Sequence, residues 1–175
     1  MAYRPVDVLH MMKRVNNQPS PMCPPKARYA VLDAKRWAAH YGMPFAPNRA
    51  LFQALGKDAL DGSLLSRASI AAQELGKFEQ FNSALFAAVW AGSDDLLCDE
   101  ARSAFCAKSE LPDDLWRLAE TPRIKEKTAK LSEEMADRGV FGVPTIFVDN
   151  EMFFGNDRWS FVKDRLQRST AGVGV

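Results

Sequence analysis

The chain has 175 residues, 47% of them hydrophobic and 26% charged, enough for one domain, or one domain with a large insertion, to bury a real core. Twenty-three basic residues against twenty-two acidic ones leave a formal charge of +1, which supplies no basic field for nucleic acid or an anionic membrane surface. No run approaches the roughly 18 apolar residues of a membrane span, and the start, MAYRPVDVLHMMKR, lacks an apolar signal core, so the expected location is the cytoplasm.

Residues 2–9 alternate weakly through Tyr3, Val6 and Val8 and contain Pro5, a pattern for a short edge strand. Four prolines in residues 16–25 forbid a helix or a central strand and predict a loop. From Lys26 the spacing is helical, through Tyr29, Leu32 or Asp33, Trp37 and Tyr41, with Gly42 and Pro44 as the stop. Residues 64–90 predict two helices meeting near Gly76, the second with Phe78, Phe81, Leu85, Phe86 and Val89 as an apolar stripe, ordinary amphipathic spacing that reads as shared core. Short helices follow over residues 99–108 and 112–119. Thr121 and Pro122 open another helix as cap and first residue; Ile124, Thr128, Leu131 and Met135 mark one face, and Gly139 ends it.

The period then changes. The run 145–148 is β-branched and aromatic, Asp149 and Asn150 form a tight-turn pair, and residues 151–154 return as the second strand of a hairpin. Gly155 breaks that strand, Asn156 and Asp157 open a closing helix to about Gln167, and a small-residue tail follows. A strand, a helical block, a helix, a hairpin and a last helix together describe an α/β core split by a helical insertion.

Cys23, Cys98 and Cys106 are spaced neither as a CxxC pair nor as metal ligands, and His10 and His40 lack an i, i+4 partner, so we expect reduced thiols and no metal site. Two elements carry chemistry. Pro144 directly precedes a buried β-branched strand although it cannot donate to a sheet. With a trans bond it merely starts the strand; with a cis bond the chain turns sharply and Val143 presents its N–H and C=O as a small free edge on which an extended peptide can add as a strand. Asn156 and Asp157 read equally as a helix cap with a dipole-complementing acid, or as a grip on a free amino acid head group in which Asp157 holds the ammonium beside a bound carboxylate.

These residues resemble a known family, the 2-hydroxychromene-2-carboxylate isomerases and kappa-class glutathione transferases of the DsbA-like thioredoxin superfamily. The resemblance runs along essentially the whole chain: YRPV at Tyr3, the loop at Asn16, PPKARY at Pro24, RWAAHYGMPF at Arg36, AVW at Ala88 and, above all, RGVFGVPTIFVDNEMFFGNDR at Arg138. It implies a thioredoxin-like α/β fold with residues 1–25 and 121–170 in the thioredoxin-like part, 26–120 as a helical insertion domain and 171–175 as a tail. It implies glutathione as cofactor, with a cis Pro144, a main-chain contact from Val143 to the cysteinyl unit, and γ-glutamyl recognition by Asn156 and Asp157. Asn17, otherwise a turn residue, matches a glutathione contact, and Lys26 matches a basic residue near the substrate pocket. The implied partners are a small aromatic or hydroxychromene-type substrate and a second copy in a homodimer.

The resemblance further implies that members begin with a strand and helix ahead of the part matched here, so that this chain is expected to start at their second strand. That helix begins with the serine that stabilises the glutathione thiolate; Ser20, Ser63 and Ser66 fall in other elements, and no catalytic side chain is assigned. The missing strand leaves a slot beside the strand at Thr145. We expect residues 2–9 to shift into it, a second copy to complete the sheet, or the coding start to lie further upstream. The implied activity is glutathione-dependent cis–trans isomerisation by reversible thiol addition, in the breakdown of aromatic compounds. The competing readings are a shortened, non-catalytic glutathione-binding or scaffold homologue, a kappa-like transferase, and a thiol-disulfide oxidoreductase, whose chemistry needs a low-pKa cysteine at the start of the first helix.

Overall fold

The structure, a computed structural model, describes residues 1–57, 59–92 and 94–171. In chain order it comprises α1 (Val8–Arg14), a 3-10 turn (Ser20–Met22), α2 (Pro24–His40), α3 (Arg49–Gly56), α4 (Leu64–Glu74), α5 (Phe78–Trp90), α6 (Asp99–Lys108), α7 (Leu115–Ala119), α8 (Pro122–Asp137), β1 (Thr145–Val148), β2 (Glu151–Phe154), a second 3-10 turn (Asn156–Arg158) and α9 (Trp159–Ala171). This is the expected mixed α/β, thioredoxin-like arrangement with an extensive helical insertion and a small sheet. Residues 172–175 of the expected tail lie outside the described residues.

The strand expected over residues 2–9 is overturned. The Asp7 carboxylate accepts from the Leu9 and His10 N–H groups, both at 3.1 Å, and so opens a helix at Val8. The residues before it lie extended across helices rather than in a sheet. Gln73 of α4 donates to the Tyr3 carbonyl (3.0 Å), Ser66 to the Val6 carbonyl (2.8 Å), and Asp7 N–H to Ser132 of α8 (2.9 Å). Their main-chain groups thus find side-chain partners, and the weak alternation is satisfied by packing such as the Tyr3 ring on Phe78. The sheet is therefore the β1–β2 hairpin alone, with Thr145 opposite Phe154 and Val148 opposite Glu151. Among the described residues no strand precedes β1.

Two apolar clusters form the interior. The larger lies in the helical block, where Phe81, Phe105 and Trp116 meet edge to face with centroids 5.7–6.2 Å apart. The smaller gathers Met11, Ala136 and Val140, with Val8, Met12, Phe147 and Met152 against them. Helix breaks follow the sequence: α4 stops at Gly76, whose φ of +66° lets its own N–H and that of Lys77 return to the Gln73 and Ala72 carbonyls. Other faces differ from expectation. In α8 the buried line is Ile124, Thr128, Ser132 and Ala136, with Leu131 and Met135 half-buried, because small residues let α1 approach closely. Phe86 is 58% exposed, and α2 buries none of its residues, leaving Tyr29 and Leu32 to solvent.

Ion pairs join the helices of the two regions. Arg67 of α4, its side chain only 5% exposed, donates to the Ala119 carbonyl (3.1 Å), to Asp61 (2.7 Å) and to Glu120 (2.7 Å). Glu74 accepts from Arg123 (2.7 Å) and Lys127 (2.9 Å) of α8. The Arg123 hydrogen bond, with help from Lys127 and against the effect of burial, holds the Glu74 carboxyl below the ordinary carboxylate range. A depressed folded pKa contributes stability that is complete above the unfolded value of about 4.3 and is lost as pH falls through the folded one. Glu74→Gln should therefore be less stable than the parent at pH 7, by up to about 1 kcal/mol given its exposed partners. The gap should close as pH falls below about 4, as urea denaturation at the two pH values will read.

Candidate functional site

Helix α8 ends at Gly139, whose φ of +89° returns its N–H to Ala136 and that of Val140 to Met135, sending the chain inward at buried Val140. From there it turns through Phe141 and Gly142 into a cis Val143–Pro144 bond. Of the two isomers the local pattern allowed, the structure has the one that makes a corner. Three carbonyls of this corner are occupied. Phe141 accepts from the Asn17 side-chain amide (2.6 Å), Gly142 from the Thr145 hydroxyl (2.7 Å) and Pro144 from Gly155 N–H (3.0 Å). Among the described residues the Val143 C=O and N–H have no hydrogen-bond partner, and the residue is 52% exposed. It is the free main-chain edge expected for strand addition. Gly142 leaves room for a close approach: a Cβ there would lie 2.8 Å from the Phe154 ring, which meets the Phe141 ring at a tilt with centroids 4.6 Å apart.

The Gly155–Pro144 bond joins this corner to the second element. Gly155 has φ +104° and ψ 156°, a region open essentially to glycine alone. A Cβ at this position would fall 2.6 Å from the Asp157 carboxylate. The following 3-10 turn has Gly155 as its cap, and Asn156 makes no side-chain capping bond, so the simple capping role does not hold. Asn156 instead offers its carbonyl to the Tyr41 hydroxyl at 3.5 Å, where the end of α2 reaches over the turn. Asp157 is exposed and pairs with Arg158.

Asn17 stands at the close of α1. Asn16 takes φ +54°, and Asn17 N–H returns to the Met12 carbonyl at 2.8 Å. The structure thus brings Asn17, Val143 and Pro144 to one corner and links Asn156 and Asp157 to it through Gly155. Lys26 is exposed in the first turn of α2 and makes no hydrogen bond or ion pair to the corner among the described residues. Sequence reasoning missed Thr145 and Tyr41 as parts of the arrangement. Thr145 carried a signal, a hydroxyl three residues after a glycine carbonyl in a turn, whereas nothing local ties Tyr41 to a residue 115 positions away.

Residues 1–167 match the DSBA-like thioredoxin domain. The chain is 29% identical over 167 residues to a 2-hydroxychromene-2-carboxylate isomerase of Sphingobium xenophagum, covering 94% of this chain and 81% of that protein. A solved 2-hydroxychromene-2-carboxylate isomerase structure superposes with a TM-score of 0.77 at 20% identity, over 99% of this chain and 84% of the other, a likeness of fold.

Gly155→Ala should cost about 1–3 kcal/mol in urea denaturation, since it strains the main chain and displaces the Asp157 carboxylate. Gly56→Ala, at the end of α3 with open space around it, should be neutral or stabilising by up to about 1 kcal/mol.

Proposed function

We propose that this chain, which belongs to the DSBA-like thioredoxin domain family, is a glutathione-dependent isomerase of the 2-hydroxychromene-2-carboxylate kind. The observation that carries the reading is the corner itself: three of its four carbonyls are taken up, and among the described residues Val143 alone of the four keeps both main-chain groups open. The likeness to a 2-hydroxychromene-2-carboxylate isomerase over nearly the whole chain supports the reaction class.

The residues present fit glutathione. Val143 N–H and C=O suit the cysteinyl main chain as an added strand. Asp157, kept clear of any side chain at Gly155, suits the γ-glutamyl ammonium, with Asn156 beside it for the carboxylate. Bound glutathione would supply a thiol nucleophile that makes a double bond of the substrate transiently rotatable. The chain's own part is to orient that tripeptide, pairing its backbone at the corner and its charged head at the turn, and so to fix the thiol's direction of approach. The reading includes a hydroxychromene-type aromatic acid as substrate and a cytoplasmic homodimer.

Calorimetric titration with glutathione, beside an isomerase assay with and without it, tests this. We expect binding, and turnover only when glutathione is present. Asp157→Asn should weaken binding by about 10- to 100-fold, the loss of a charge-assisted hydrogen bond. Absence of binding by the parent protein would overturn the reading, and binding without turnover would point to a non-catalytic member of the family.

A further inference from the structure

We propose that Tyr41 belongs to the grip on the charged head, its hydroxyl oxygen accepting a hydrogen bond from the same ammonium that Asp157 holds. The proposal rests on the glutathione reading, which supplies that ammonium, and adds to it a binding residue at the end of α2. A phenol has one proton to give and lone pairs to offer. The Tyr41 proton is committed, because the hydroxyl lies 3.5 Å from the Asn156 carbonyl, which can only accept. Among the described residues nothing donates to the hydroxyl oxygen, and Tyr41 is 50% exposed, so its lone pairs are open to a ligand. The carbonyl in question belongs to the peptide unit that joins Asn156 to Asp157. The hydroxyl therefore stands at the main chain of the acid itself.

The ring is held in place from its own side. Tyr41 N–H returns to the Trp37 carbonyl at 3.0 Å, and Gly42, at φ +63°, lets Met43 N–H return to the Ala38 carbonyl at 2.8 Å. The Tyr41 ring stacks on Trp37 with centroids 5.6 Å apart and meets His40 edge to face at 5.2 Å. Just beyond, Ala46 N–H bonds the Trp90 carbonyl at the end of α5 at 2.7 Å. The surroundings suit a cation. Tyr41 caps a 17-residue helix, so the negative end of the α2 macrodipole lies beside the hydroxyl. Arg158 pairs with the Asp157 carboxylate, so an ammonium arriving there must share that carboxylate with a guanidinium. A second acceptor at Tyr41, which no side-chain cation occupies among the described residues, favours the newcomer.

The test compares the parent with Tyr41→Phe, which removes only the hydroxyl, in calorimetric titrations with glutathione and with glutaryl-cysteinyl-glycine, the same tripeptide without its amino group. In the parent the amino-free tripeptide should bind about 10- to 100-fold more weakly than glutathione and is read by its displacement of glutathione. Tyr41→Phe should weaken glutathione binding about tenfold, the effect of one hydrogen bond to a charged group at an exposed site, and leave the affinity for the amino-free tripeptide at the parent value. Parent-like glutathione affinity in Tyr41→Phe would overturn the proposal. So would an equal loss for both tripeptides, since that is the mark of a hydroxyl that only fastens α2 to the turn. Those two results overturn the proposal alone, whereas a parent protein that binds no glutathione overturns the glutathione reading and the proposal with it.

Discussion

A helix that ends inside a protein must satisfy its last carbonyls, and in this chain two neighbouring helices do so in the same way at the same place. Helix α1 closes through Asn16 in a left-handed conformation and α8 through Gly139, so each returns its following N–H groups onto its own final turn. The two helices run side by side, as the successive links Asp7 to Ser132, Arg14 to Asp137 and Asn17 to Phe141 require. Their ends therefore arrive together, and the segment leaving α8 meets the segment leaving α1 at Phe141 and Asn17, within four residues of either helix. The cis-proline corner is built on that meeting.

The helical block reaches this framework through charge. Arg67 sits almost wholly inside, yet each part of its guanidinium has an oxygen: the Ala119 carbonyl, Asp61 and Glu120. Burying a charge is tolerable only with such pairing. The geometry sets where α4 lies relative to the end of α7 and the start of α8. The exposed pairs of Glu74 add a second, weaker fastening along the same helices. The extended first residues are then laid across α4 and α8 by side-chain hydrogen bonds, which is why they do not join the sheet.

Much of this was readable where the determining residues are neighbours. The hairpin at 145–154, the break at Gly76 and the capped start of α8 at Thr121 and Pro122 each depend on a few adjacent positions, and each is found as expected. Residues 2–9 misled because an extended strap and an edge strand share one pattern, and the carboxylate of Asp7, a helix cap, was the stronger local signal. The aromatic spacing of α2 was helical as read, but spacing cannot say whether a neighbour exists to cover it, and Tyr29 remains exposed. At the candidate site the isomer at Pro144 was open on local grounds. The partnership of Asn17 with Phe141 spans 124 positions and has no local trace, whereas family resemblance pointed to Asn17 as a glutathione contact.

The bond from Gly155 to the Pro144 carbonyl has one more consequence. It clasps the two ends of the hairpin, so the stretch between the free edge at Val143 and the carboxylate at Asp157 is a closed loop rather than a tether. The spacing between these two positions is set by a pair of four-residue strands and the Gly155–Pro144 clasp. Under the proposed glutathione reading, a molecule held at both would have to carry a backbone-like group and a charged head at that one separation, and a shorter or longer homologue would satisfy only one of them.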